Sequence, residues 1–276
     1  MHSKHRLRKK RGVKRMYRTK LRTIHSGFVP GQSHCWTHAR AGVVREGKPS
    51  VVLTMSPLKL SGSDVFEAVH QMRSENLGET WTAPLEQQGL SRRPMSGGSE
   101  EVVCDFTPKW HAATGTLLGT GQTVAYRGDD IDPNGRKTSY AVYDPASQSW
   151  GPWKTVEMPE QFETSGAGSA QRADLDNGDI LLPIYYKKKQ SASPGVLHDV
   201  FYSCVVRCRF DGETLQFKEK GADITYPSGR GYYEPSITYY QGEYFITLRA
   251  DDHGAVSRSK DGLNFKAAKK WRWDDG

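Results

Sequence analysis

The stretch Arg230–Phe265, RGYYEPSITYYQGEYFITLRADDHGAVSRSKDGLNF, decides how the rest of the chain is interpreted. Its β-prone runs are separated by Gly- and Asp-containing turns, which predicts a meander of short antiparallel strands. These runs are Ser236–Tyr240, Tyr244–Leu248 and Ala255–Ser257. Glu234 enters the first strand and Arg249 leaves the second, so a hairpin places both charges at the same end. Such a pair is either a surface ion pair or one wall of a polar site.

Charge is distributed unevenly along the 276 residues. Residues 1–22 carry 11 of the 39 Lys and Arg side chains and no acidic residue, so the remainder has 28 basic against 31 acidic groups. We therefore expect residues 1–25 to be a disordered basic arm and residues 26–276 to form one domain. Binding of nucleic acid or of another anionic surface is the alternative for the arm. We expect no nucleic-acid partner for the domain, and we expect a monomer.

The sequence contains no apolar run long enough to span a membrane, and no signal peptide is visible behind the arm. We therefore expect no membrane partner and, for the chain as written, a cytoplasmic location, although the location itself stays open. Cys204 and Cys208 share one face of a strand-like run, which favours small core residues. The segment His34–His38 offers metal-capable groups, but no further ligand follows at a suitable spacing, so we expect no metal and no cofactor.

The meander recurs along the chain. Four units share the same order of short turn, polar loop and aromatic residue after the last turn. The aromatic residues are Trp81, Trp150, Phe217 and Phe265. A single β-sandwich accounts for many strands but not for this repeated order, which favours a β-propeller.

Two of the turns identify a family. The segment Ser74-x-Asn76-x-Gly78-x-Thr80-Trp81 resembles the Asp-box (BNR) hairpin of sialidase-type propellers, with Asn in the usual Asp place. Ser259-x-Asp261-Gly262-x-x-Phe265 resembles a shortened version, and the segment from Phe210 to Phe217 a degenerate one. In this hairpin the Ser and Asp or Asn side chains bond the turn backbone while the aromatic ring packs against it. The resemblance implies an all-β, sialidase-like β-propeller, with about four of six four-stranded antiparallel blades present. It also implies that these turns lie on the face opposite the active site.

The other face is expected to carry the site. Strand-one entries and the loops between strands two and three share that face, which directs several charged side chains towards one central funnel. These side chains are Arg40, Asp64, Arg172, Glu234 and Arg249. The resemblance implies that Arg40 and Arg249 bind a sugar carboxylate, that Asp64 is the acid/base and that Glu234 is the family's glutamate. Ala41 and Gly42 stand where the family has isoleucine and proline after the first arginine.

The implied function is that of an exo-glycosidase that hydrolyses a terminal acidic sugar from a glycan. Arginines bind the sugar carboxylate, Asp64 transfers a proton, and Glu234 assists a tyrosine nucleophile. The apolar neighbours Val65 and Phe66 are expected to favour the protonated form of Asp64. The third arginine and the tyrosine would lie beyond Gly276, so we expect a truncated piece that is inactive alone, with a diverged architecture as the alternative. The alternative is a non-catalytic propeller that binds glycan or protein.

Overall fold

The computed structural model describes residues 21–28, 33–61, 64–132, 135–168, 171–188 and 200–272. Within these ranges the chain forms β-strands and two short 3₁₀ helices, Gln88–Leu90 and Ser96–Gly98. Residues 1–20 of the predicted basic arm lie outside the described residues. At the described end of the arm, an Arg22 Nη1 lies 2.9 Å from Glu79 Oε2 on the surface.

The strands build four antiparallel sheets that follow one another along the chain. The first contains β1 (His34–Val44), β2 (Ser50–Lys59), β3 (Val65–Phe66), β4 (His70–Ser74) and β5 (Leu85–Glu86). The second contains β6 (Arg93–Pro94), β7 (Glu100–His111), β8 (Thr116–Arg127), β9 (Asp130–Asp132), β10 (Thr138–Asp144), β11 (Ser149–Trp150) and β12 (Lys154–Thr155). The third contains β13 (Phe162–Gly166), β14 (Ala173–Asp174), β15 (Asp179–Lys188), β16 (Tyr202–Phe210) and β17 (Leu215–Lys220). The fourth contains β18 (Tyr233–Tyr240), β19 (Glu243–Arg249), β20 (Gly254–Ser259) and β21 (Lys269–Lys270).

Successive sheets pack face to face. One apolar cluster joins the first two sheets through residues such as Val52 and Trp150. A second joins the second and third sheets, and a third joins the third and fourth. The third sheet is therefore covered on both faces, which explains why β15 is an almost continuous apolar run rather than an alternating one. Cys204 and Cys208 lie in the second of these clusters, as their spacing predicts.

The predicted turns occupy equivalent places, each between the third and fourth main strands of its sheet. Ser259 Oγ accepts the Gly262 N–H, and Asp261 Oδ1 accepts the backbone N–H groups of Leu263 and Asn264. In the first sheet, Ser74 Oγ accepts the Gly78 N–H. These hydrogen bonds are those that the sequence predicts for such turns.

The strand register places these turns away from Glu234. Ser259 pairs with Tyr244 at the start of β19, whereas Tyr233, next to Glu234, pairs with Arg249 at its end. The turn after β20 and the Glu234–Arg249 pair are thus at opposite ends of the fourth sheet. Their placement on opposite faces of a propeller stays a prediction.

The prediction of an all-β fold is confirmed, since the described residues form four consecutive antiparallel sheets. The number of blades in a complete propeller stays a prediction. Among the described residues, no helix has the length and apolar character needed to cross a membrane.

Candidate functional site

Three strands from three different sheets carry the same irregularity. In β1, β7 and β18 the register with the following strand shifts by one residue. The residues at these bulges are His38, Asp105 and Glu234, with φ angles of 55°, 53° and 49°. A left-handed conformation is costly for a side chain larger than glycine, and bulges that re-aim a side chain occur next to active sites.

The three bulge residues line one cavity of about 330 Å³ where the four sheets meet. Its charged or chargeable lining groups, tyrosines apart, are His38, Asp64, Asp105, Arg136, Arg230, Glu234 and Arg249. The structure therefore brings together three of the five sequence-predicted site residues, namely Asp64, Glu234 and Arg249.

Glu234 and Arg249 form the charged pair that the sequence predicts at one end of a hairpin. An Arg249 Nη1 donates to both carboxylate oxygens of Glu234, at 3.1 and 3.0 Å. These hydrogen bonds raise the pKa of Arg249. The Arg249 side chain is still 56% exposed and lines the cavity, so part of its guanidinium is accessible to a ligand.

A second arginine, Arg230, is tied to its surroundings. Its Nε lies 2.7 Å from Asp251 Oδ1, and an Nη2 donates to the Tyr233 hydroxyl at 2.6 Å. Hydrogen bonds from the backbone and side chain of Arg230 hold the pKa of Asp251 below its ordinary value. Burial, and then the hydrogen bond from its hydroxyl to Asp251, raise the pKa of Tyr233. Tyr233 therefore lines the cavity with its hydroxyl group protonated.

Arg136 differs from the other two arginines. Its guanidinium carbon lies 5.1 Å from the Tyr185 ring centroid and 5.7 Å from that of Phe201, an arrangement typical of cation–π contacts. Within the described ranges, no carboxylate lies within ion-pair distance of Arg136, and its buried Nε has no hydrogen-bond partner. It is a half-buried cation whose charge the neighbouring described side chains do not neutralise.

Asp64 is positioned by its backbone. The Tyr126 hydroxyl donates to the Asp64 carbonyl at 2.6 Å and accepts the Phe66 N–H at 3.2 Å, which fixes this loop to the second sheet. The Asp64 side chain is exposed. The Val65 and Phe66 side chains are buried in an apolar cluster, and the expectation that they favour the protonated form of Asp64 stays a prediction. Among the described residues, no basic side chain lies within ion-pair distance of Asp64.

Arg40 does not line this cavity, contrary to the sequence-based expectation. Its guanidinium donates to the neighbouring Ala39 carbonyl at 3.1 Å. The reason is the bulge in β1: regular pairing resumes at Arg40, opposite Thr54, and the cavity position is taken by His38 two residues earlier.

Arg172 is also elsewhere. Its side chain is 1% exposed and donates to the carbonyls of Leu118 and Lys109 at 2.8 and 2.7 Å, and to Asp174 Oδ1 at 3.0 Å. It faces a separate cavity of about 450 Å³ between the inner strands. These buried hydrogen bonds join the second and third sheets.

Sequence reasoning missed His38, Asp105 and Arg136. Asp105 interrupts the apolar run Val102–Phe106. An acidic residue within such a run is the sequence feature that indicates a functional position there. His38 was considered only as a metal-capable group, because strand periodicity does not reveal a bulge. Arg136 ends a long polar loop between two strands of the second sheet, in the class of loop expected to face the site.

No family model matches this chain, and no curated protein matches it in sequence. Solved structures do match. A Hadza microbial sialidase aligns with a TM-score of 0.57 and 15% identity, over 86% of this chain and 46% of that one. A leech intramolecular trans-sialidase, complexed with 2,7-anhydro-Neu5Ac, aligns with a TM-score of 0.61 and 12% identity, over 92% and 53%. An ulvan lyase from a polysaccharide lyase family aligns with a TM-score of 0.54 and 10% identity, over 86% and 56%.

The fold is sialidase-like. The chain spans about half the length of these three structures. At identities this low the likeness concerns the fold, and the chemistry of the cavity has to be argued from its own residues.

Proposed function

We propose that the cavity binds an acidic sugar and that the protein is a sialidase-like exo-glycosidase acting on a terminal sugar of a glycan. The observation that carries this proposal is the unmatched charge of Arg136 in the cavity. The other cavity arginines are paired with Glu234 and Asp251, whereas Arg136 has no carboxylate partner among the described residues. A ligand carboxylate supplies the missing partner.

Arg136 and Arg249 line the same cavity, and in this proposal one ligand carboxylate engages both guanidinium groups. Planar guanidinium groups bind carboxylates through parallel hydrogen bonds, which lysine cannot reproduce. Asp64 is the proposed proton donor to the glycosidic oxygen, because it lines the cavity and is free of a described cationic partner. Glu234 holds Arg249 in place. Arg40 and Arg172 are not part of this proposal.

A non-catalytic, sugar-binding protein is the second candidate. The observation that favours it concerns the tyrosines: Tyr185 and Tyr233 line the cavity, and burial raises the pKa of both. A protonated, buried phenol is a poor nucleophile. The part of the chain that the structure describes therefore supplies no activated tyrosine at this cavity. In the proposed enzyme the group that attacks the anomeric carbon is therefore neither of these two tyrosines.

The binding proposal is tested by calorimetry of the 276-residue chain with N-acetylneuraminate, glucuronate and neutral methyl galactoside. We expect the two acidic sugars to bind and the neutral sugar to bind at least tenfold more weakly. Arg136→Met is expected to reduce affinity for the acidic sugar at least tenfold, about 1.4 kcal/mol. Arg249→Lys is expected to reduce it several-fold without lowering the melting temperature, because the charge remains and the planar donor geometry is lost.

Arg258→Met is the matched control, since Arg258 is an exposed arginine paired with Glu243 at 3.5 Å outside the cavity. It is expected to leave sugar affinity unchanged. Equal affinity for acidic and neutral sugars, or an unaffected Arg136→Met variant, would show that the carboxylate assignment is wrong. Release of 4-methylumbelliferone from a 4-methylumbelliferyl sialoside separates the enzyme from the sugar-binding alternative.

A further inference from the structure

An imidazole–carboxylate pair in the cavity has no part in the proposed binding of a sugar carboxylate. His38 Nδ1 lies 3.0 Å from Asp105 Oδ1, and the two side chains are 28% and 8% exposed. Gln122 Nε2 donates to the other Asp105 oxygen at 2.8 Å. We propose that His38 is a proton-transfer residue of this cavity and that Asp105 positions it. The proposal rests on the proposed function and names a further residue for the same site.

The contact with Asp105 determines which ring nitrogen carries the proton. The two atoms are at ion-pair distance but are not aligned as a hydrogen bond, so Asp105 favours a protonated Nδ1 through the negative charge of its carboxylate. In the neutral ring the lone pair then lies on Nε2. Because Nδ1 is buried, the exposed part of the His38 side chain belongs to the rest of the ring. The Phe66 ring, with its centroid 4.9 Å from that of His38, packs against the imidazole.

The backbone provides independent support. His38 and Asp105 belong to different sheets, and each occupies a bulge with a left-handed conformation. Such a conformation is strained for a residue other than glycine and persists where the surrounding structure enforces it. Two costly bulges that bring one imidazole and one carboxylate into contact at a cavity wall are better explained by a function of the site than by strand pairing.

The step assigned to His38 is the activation of water. Asp64 donates its proton to the glycosidic oxygen as the bond from that oxygen to the anomeric carbon breaks. His38 Nε2 accepts a proton from the water molecule whose oxygen bonds to the anomeric carbon. The products are the released sugar and the shortened glycan, each with a new hydroxyl group. Asp64 regains a proton from solvent and His38 releases one, so the step requires no co-reactant other than water.

The first test measures the tautomer directly, in the unmodified 276-residue chain. Long-range ¹H–¹⁵N correlation spectra of the histidine-labelled protein report which nitrogen is protonated, and His38→Gln assigns the signal. We expect neutral His38 to carry its proton on Nδ1, against the usual preference of free imidazole for Nε2–H. Asp105→Asn is expected to remove this bias. An Nε2–H tautomer in the unmodified protein would overturn the proposal, whether or not any variant folds.

The matched control is His34→Gln. His34 lies on the same strand, is 33% exposed and has its Nε2 3.7 Å from Glu67, but it faces a different cavity. This variant is expected to leave the His38 spectrum unchanged. Addition of N-acetylneuraminate to saturation is then expected to shift the His38 Nε2 resonance and not that of His34. A saturated protein in which His38 Nε2 does not respond also overturns the proposal.

The second test uses hydrolysis of the 4-methylumbelliferyl sialoside by the 276-residue chain, because the proposed water step requires neither the third arginine nor the tyrosine implied by the resemblance. His38→Gln is expected to lower the rate at least 100-fold, and added azide, which needs no deprotonation, is expected to restore turnover with formation of the glycosyl azide. His34→Gln is expected to retain the full rate. If the sugar binds and is cleaved but His38→Gln is fully active, His38 transfers no proton and the proposed function stands. If no acidic sugar binds, the proposed function fails, and the tautomer measurement alone decides whether Asp105 positions His38.

Discussion

Arg172 provides the sharpest test of how the structure assigns the arginines, because the sequence places it in the substrate site and the structure places it in the core. In Arg172→Met the chain loses three charge-assisted hydrogen bonds of 2.7–3.0 Å while keeping an apolar side chain of similar length. Each such bond contributes about 1.5–3 kcal/mol when removed singly, but their effects do not add. Asp174 keeps Lys109 Nζ at 3.4 Å, so its charge is not left isolated.

We therefore expect a loss of about 3 kcal/mol in the free energy of unfolding, the lower end of the range for breaking a buried ion pair. At roughly 2–4 °C per kcal/mol, the melting temperature falls by about 6–12 °C. Urea unfolding followed by tryptophan fluorescence measures the first quantity and calorimetry the second. Arg249→Met, at an exposed pair, serves as the control and is expected to cost no more than about 1 kcal/mol.

The binding measurement completes this test. Folded Arg172→Met is expected to bind N-acetylneuraminate with the affinity of the unmodified chain. A variant with unchanged stability and lost affinity would refute the reasoning and return Arg172 to the substrate site.

Two further predictions concern stability. Partial burial raises the pKa of Asp261, but hydrogen bonds from Asn264, Ser259 and Leu263 outweigh it and leave the pKa well below its ordinary value. The stability that this carboxylate contributes is present above the unfolded-state pKa and is lost as the pH falls through the acidic range. Asp261→Asn is therefore expected to be less stable than the unmodified chain at pH 6 and to lose less stability between pH 6 and pH 3. An equal change in the urea midpoint of both proteins between the two pH values would contradict this. Deletion of residues 1–22 is expected to leave the melting temperature unchanged within error, because the described contact that it removes is the exposed Arg22–Glu79 pair. A large decrease would show that the arm packs on the domain.

Much of the architecture could be predicted from local sequence, because strands, turns and their repetition depend on nearby residues. The Gly- and Asp-containing turns limit each strand, and the Ser and Asp side chains satisfy the turn backbone within a few residues. The Glu234–Arg249 pair was predictable for the same reason, since a hairpin of known turn position determines which residues meet at its end.

The composition of the cavity depended on the tertiary structure. A one-residue bulge in β1 replaces Arg40 by His38 at the cavity wall, and strand periodicity contains no sign of that shift. The separation of Arg172 from Arg136 likewise depends on how the second and third sheets pack: one guanidinium is enclosed by backbone carbonyls, and the other rests on Tyr185 and Phe201. The sequence alone determined which side chains carry charge and at which end of each sheet most of them lie. Packing between sheets decided which of those charges are neutralised within the protein and which remain for a ligand, because that depends on contacts between residues far apart in the chain.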